Sequence, residues 1–226
     1  MPKFAVAMKM QNMLGSVSYR RHSAVGPGAA WKGVRNFQIR FLLDSGLSPN
    51  HTLLDVGSGT LRGGIPIIAF LNRGNYWGVD VRSSVFPAAR KELRKHRLVD
   101  KSPNLIECPG FVDLDLGRKF DFIWGFSVII HMTDEILEES LAFVARHLED
   151  KAVFYANVNC SNREDGLWQG FPSVRRSFSF YEEVATAVGL RTEHIGKLVE
   201  DKDYNIRIET SLPPNGHEML RFRIPD

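Results

Sequence analysis

The sequence predicts an α/β protein in which a mostly parallel sheet carries helices on both faces. Three observations lead there. Short apolar runs alternate with amphipathic stretches from about residue 51 onward. The runs are continuously apolar rather than alternating, the pattern of strands buried on both sides. Glycines follow the first run directly, as they do where a strand turns sharply into a helix. At 226 residues, 43% hydrophobic and 24% charged, the chain suits one large domain rather than two.

The elements follow in order. Up to about residue 30 the chain is mixed, with Arg20-Arg21-His22 and Gly26-Pro27-Gly28 marking irregular backbone. Trp31, Val34, Phe37, Phe41 and Leu42 then recur at helical spacing until Gly46, which predicts a helix over 31–45. Residues 51–56 (HTLLDV) are a buried strand, and 65–71 a helix with Pro66 harmless in its first turn. Further strands are expected at 76–80, 105–108, 121–127 and 152–157, with 121–127 apolar enough to be central. Helices are expected at 85–96, at 134–148 with Ile136, Leu137, Leu141, Val144 and Leu148 on one face, and at 181–188 before Gly189. Two late strands, 192–198 and 219–224, close the chain. Right-handed crossovers gather the loops after the strands on one sheet edge, where ligands of such sheets bind.

Composition excludes several classes. Lys and Arg number 29 against 26 Asp and Glu, a net +3, far from the charge density of a dedicated nucleic-acid binder. The basic run 90–97 reads as a solvated helix face, since no aromatic side chains interleave with it. Two cysteines make neither a disulfide framework nor a zinc quartet. The N-terminal apolar patch is broken by Lys3 and Lys9, and no apolar run approaches the length of a membrane span. The expectation is a cytoplasmic protein without membrane or metal, able to pair with a second copy of itself.

The sharpest local signal is Leu53-Leu54-Asp55-Val56-Gly57-Ser58-Gly59-Thr60. Its glycines let the backbone bend and let a ligand approach closely. Asp80 ends the next strand about 20 residues on, where an acid accepts from a ribose diol. The dinucleotide fingerprint is incomplete, because Arg62 stands at its third glycine position. Asp55, just before the first glycine, would repel a pyrophosphate and attract a sulfonium or ammonium. The loop therefore suits a cationic, phosphate-free adenosine ligand.

In LLDVGSGTLRGG, YWGVD and FDFIWGFSVIIHMTDE the sequence resembles the class I S-adenosylmethionine-dependent methyltransferases. The resemblance covers roughly residues 53–158. It implies a Rossmann-like, doubly wound sheet of seven strands with the last antiparallel. It also implies S-adenosylmethionine as cofactor. Asp55, Gly57, Ser58 and Gly59 would then line the methionine and sulfonium end, and Asp80 with Val81 the ribose. Phe126 and Ser127 would lie beside the cofactor after the fourth strand, and Asp113 near the adenine, with Asp115 a competing choice. Leu61 stands where a third glycine is often found.

Methyl transfer needs the nucleophile held in line with the methyl group and water kept out. A hydroxyl acceptor also gains from a base. His131, in the loop after the fourth strand, is the candidate base, with a capping or core histidine as the competing reading. The segment 157–180 is expected to form a lid over the acceptor, through Trp168 and Phe171 and with Arg175 and Arg176 available to an anionic group. Tyr19, Arg20, Arg21, His22 and Trp31, in an N-terminal cap over 1–46 on the core of 47–226, would close over the same edge. The function expected is methylation of a small-molecule hydroxyl, on a sugar or secondary metabolite. Nitrogen methylation and a non-catalytic cofactor-binding partner subunit remain alternatives, and Arg62 and Asp55 argue against a dehydrogenase.

Overall fold

The computed structural model describes residues 30–168, 170–203 and 205–225. Five parallel strands form the first half of the sheet: β1 (Leu53–Val56), β2 (Tyr76–Asp80), β3 (Asn104–Glu107), β4 (Phe120–Gly125) and β5 (Leu148–Cys160). A small hairpin, β6 (Gly166–Trp168) and β7 (Phe171–Ser173), follows outside the main sheet. The chain closes with β8 (Arg191–Glu200), β9 (Ile206–Glu209) and β10 (Gly216–Arg223). The main sheet runs β3-β2-β1-β4-β5-β10-β8-β9, and β10 is antiparallel to both its neighbours. Strand order reverses between β1 and β4, where the crevice for a ligand opens.

Eight strands stand where seven were expected, because β9 pairs antiparallel with β8 at the sheet's edge. At four residues, between polar loops, β9 carries too little apolar pattern to be seen in sequence. The three-residue strands of the small hairpin escaped for the same reason.

Both faces of the sheet are buried, as the continuous apolar runs required. On one face α1 (Trp31–Asp44), α2 (Gly64–Phe70) and α3 (Phe86–Lys95) bury Phe37, Ile67 and Leu93 against Leu53, Tyr76 and Trp124. On the other, α4 (Asp134–His147) and α5 (Phe178–Ala187) bury Leu141, Val144 and Val184 against Leu54, Ile123 and Phe154. Each such side chain contributes roughly 1.5–3 kcal/mol of transfer free energy. A buried polar bond fixes α1 in place, where Trp124 Nε1 donates to Gln38 Oε1 at 2.9 Å.

Candidate active site

A cavity of about 630 Å³ opens at the carboxyl ends of β1, β2 and β4 and extends to the start of β10. The glycine turn forms its floor. Gly57 and Gly59 both have positive φ, +75° and +55°, which only glycine adopts cheaply. A Cβ on Gly57 would lie 2.7 Å from Val128, so the loop after β4 seals the turn from above. Leu61 keeps the left-handed bend at φ +65° without a glycine, and its fully buried side chain offsets that cost of about 1–2 kcal/mol. Ser58 Oγ, on the cavity wall, is buried with no hydrogen-bond partner, a polar atom suited to a ligand.

Asp55 lies under this turn, almost wholly buried. Its Oδ2 accepts from the Tyr76 hydroxyl at 2.6 Å. Burial pushes its carboxyl up to about 7, against the lowering effect of Tyr76 and of the Arg62 guanidinium, while Asp80 adds to the rise. Burial also brings Arg62 down to about 10, so it stays a cation at neutral pH. Arg62 is thus a buried counter-charge to Asp55 on the cavity wall rather than a surface cation. A ligand cation arriving here meets a carboxylate that neutral pH leaves part-protonated.

Asp80 closes the turn, accepting from Gly59 N at 2.9 Å on Oδ2. Its Oδ1 accepts from Arg82 N at 2.9 Å and Arg82 Nε at 3.2 Å. The Arg82 guanidinium therefore covers the acid assigned to the ribose and has to yield to a diol. Beside it Val81 presents an exposed apolar surface to the cavity. Asp113 does not come here. It is exposed and belongs to a separate shallow depression beside His147, because the loop after β3 turns outward at Val112. The cavity wall expected of Asp113 is made instead by Cys108, Pro109, Gly110 and Phe111. Burial raises the Cys108 thiol to about 11, so it is an inert, apolar part of that wall.

At the other end Phe126 and Ser127 line the cavity. Ser127 takes φ +59° and donates from its backbone N to Asn157 Oδ1 at 2.6 Å. Since a backbone N–H only donates, the Asn157 amide must face it with oxygen, leaving its NH2 to bond His217 Nε2. His217 is therefore neutral with its proton on Nδ1, and burial brings it down to about 4. It lines the same cavity.

His131 ends a 3-10 turn (Ile129–His131), half-buried in the cavity wall. Its Nδ1 lies 2.6 Å from the Pro172 carbonyl, which only accepts, so in the neutral ring Nδ1 holds the proton and Nε2 the lone pair. Trp168 stacks on the ring at 5.7 Å and Phe171 leans on it at 6.0 Å. The small hairpin within the expected lid segment thus covers His131, and both its aromatic residues reach the cavity.

Arg175 and Arg176 are placed otherwise than the sequence suggested. Arg176 pairs with Asp134 at 2.9 Å and Asp165 at 2.8 Å, and Arg175 donates to the Glu164 carbonyl at 2.9 Å. Neither lines the cavity, because Arg176 ties the hairpin segment to the start of α4 and Arg175 is bound within that segment. Tyr19, Arg20, Arg21 and His22 lie outside the described residues, whereas Trp31 is buried at the start of α1. No cluster of three or more His, Cys, Asp or Glu that could hold a metal occurs among the described residues. Nor is any described helix long and apolar enough to cross a membrane.

Sequence reasoning missed Tyr76, Asn157 and His217. Tyr76 and Asn157 read only as the first and last residues of strands, and His217 lay outside every predicted element. Only the pairing of β10 with β5 brings His217 to the cavity.

Residues 54–154 match the family model described as a methyltransferase domain. No curated protein matches the sequence. Among solved structures, an S-adenosylmethionine-dependent methyltransferase from Clostridium acetobutylicum is similar over 100% of both chains at 14% identity, with a TM-score of 0.63. Magnesium protoporphyrin IX methyltransferase from Synechocystis, solved with bound S-adenosylmethionine, covers 98% of this chain and 97% of its own at 14% identity and a TM-score of 0.61. A glycopeptide N-methyltransferase in complex with S-adenosylmethionine covers 84% and 94% at 13% identity, TM-score 0.61. Residues 54–154 thus match a methyltransferase-domain model, and the fold of the chain is similar to that of solved S-adenosylmethionine-dependent methyltransferases.

Proposed function

We propose that the protein methylates a hydroxyl oxygen of a small molecule, held between the β6–β7 hairpin and His217. The observation that carries this reading is His131, whose Nδ1 is engaged by the Pro172 carbonyl, leaving Nε2 as a lone pair on the cavity wall. A neutral amine needs no base to attack, whereas a hydroxyl becomes a competent nucleophile as its proton leaves. The residues at the β1 turn fit the cofactor: the carboxylate of Asp55, the orphaned Ser58 hydroxyl, and a bare backbone bend.

S-adenosylmethionine, when bound, supplies an activated methyl group on a sulfonium sulfur. Asp55 would hold the cationic end and Asp80 the ribose. His131 Nε2 would take the acceptor's proton while the acceptor oxygen bonds the methyl carbon and the carbon–sulfur bond breaks, its electron pair going to sulfur. His217 would donate from Nδ1 to a second oxygen of the acceptor, so vicinal hydroxyls or a hydroxyl beside a carbonyl fit best. Trp168 and Phe171 would cover the acceptor and keep out water. A non-catalytic cofactor-binding subunit is disfavoured by a cavity that runs on from the glycine turn to His131, Trp168, Phe171 and His217.

The test is a panel of hydroxyl and amine acceptors offered with isotope-labelled methyl donor. Hydroxyl compounds should be labelled by the wild-type protein, and His131→Ala should lower turnover about 10²–10⁴-fold with unchanged donor affinity. Labelling confined to amines, indifferent to His131→Ala, would overturn the oxygen reading.

A further inference from the structure

Tyr76 enters the core of the sheet as an apolar strand residue, yet its hydroxyl goes to a carboxylate. It begins β2, opposite Leu53 of β1, and its ring is fully buried between the sheet and α2. Tyr76, Gly78 and Asp80 alternate along β2 and so share one sheet face. Gly78 leaves room there, since a Cβ on it would meet Ser58 at 2.9 Å. The hydroxyl of Tyr76 reaches Asp55 Oδ2 at 2.6 Å. Gly64 makes this reach possible, since a Cβ there would stand 2.6 Å from the hydroxyl. The Gly63-Gly64 pair, unexplained by the cofactor loop, is thereby accounted for. A Cβ on Gly63 would collide with Gln38 at 2.1 Å, so the two glycines admit the two buried polar side chains that brace this corner.

We infer that Tyr76 is a positioning residue for the methyl donor: by donating to Asp55 Oδ2 it orients that carboxylate for the donor's cationic end. The inference rests on S-adenosylmethionine as the ligand of the cavity. The alternative is that Tyr76 only packs. The other charged groups bearing on Asp55 are Arg62, which favours its anion, and Asp80, which opposes it. Removing the Tyr76 donor strips one of two forces that oppose desolvation of the anion. Binding of a cation through Asp55 then requires a higher pH.

The experiment is calorimetric titration of the purified protein with S-adenosylmethionine between pH 5.5 and 8, for wild type, Tyr76→Phe and Asp55→Asn. The donor's own titration is common to all three, so ratios of Kd isolate Asp55. In Tyr76→Phe the affinity should fall about tenfold at pH 6 but only about twofold at pH 8, while Asp55→Asn loses the Asp55-dependent pH variation. An infrared titration of the protonated Asp55 carboxyl band in the ligand-free proteins gives a second readout, expected to move to higher pH in Tyr76→Phe. Equal ratios at every pH with an unmoved band would show that Tyr76 merely packs. Absence of wild-type binding at any pH would instead overturn the donor assignment, and this role with it.

Discussion

Asp80 shows how a residue's place can be legible in sequence while its surroundings are not. Its position at the end of β2, about 20 residues after the glycine turn, is legible in sequence because a parallel sheet fixes that spacing. What sequence does not show is that Arg82, two residues on, covers the same carboxylate with its backbone and guanidinium. The Arg82 side chain is partly exposed and lies over the Phe171 ring at 5.8 Å, so it leaves at little cost. Arg82→Ala should therefore leave donor affinity unchanged or tighten it by up to about threefold, read by calorimetry. A tenfold loss would mean that Arg82 itself holds the donor. Arg175 and Arg176 teach the converse lesson, since adjacent cations near a mouth look like an anion site until their carboxylate and carbonyl partners are known.

Among the elements, α1 braces the site without forming its chemistry. The helix was readable from Trp31, Val34 and Phe37, whose spacing leaves one apolar face. Its polar anchor was not, because Gln38 meets Trp124 across 86 residues of sequence. Gln38→Ala leaves the indole N–H buried and unpaired, and should lower stability by about 1–3 kcal/mol in urea unfolding. No change would show that water replaces the amide. The long strands and helices were legible because burial on two faces imposes a composition. The strands of three or four residues were not, because so few side chains cannot show a period, and the lid's covering of His131 was hidden with them.

Taken whole, the molecule trades stability for its donor site. The Asp55 carboxyl is raised from 3.8 to about 7 on folding, so between those values the folded chain holds a proton that the unfolded chain has released. Stability from this group is therefore full below about 3.8 and is lost as pH rises to about 7. Ligand-free protein should melt at lower temperature at pH 8 than at pH 6, and Asp55→Asn should remove part of that difference. An unchanged slope in the variant would place the pH dependence elsewhere. A different consequence follows from β9. Its hairpin with β8 hangs at the sheet's margin, fastened to α1 where Arg40 donates to the Ile206 carbonyl at 3.0 Å, and it lends Leu198, Glu200 and Ile206 to the cavity. Substitutions in such a flap would reshape one wall of the cavity and leave the glycine turn after β1 untouched.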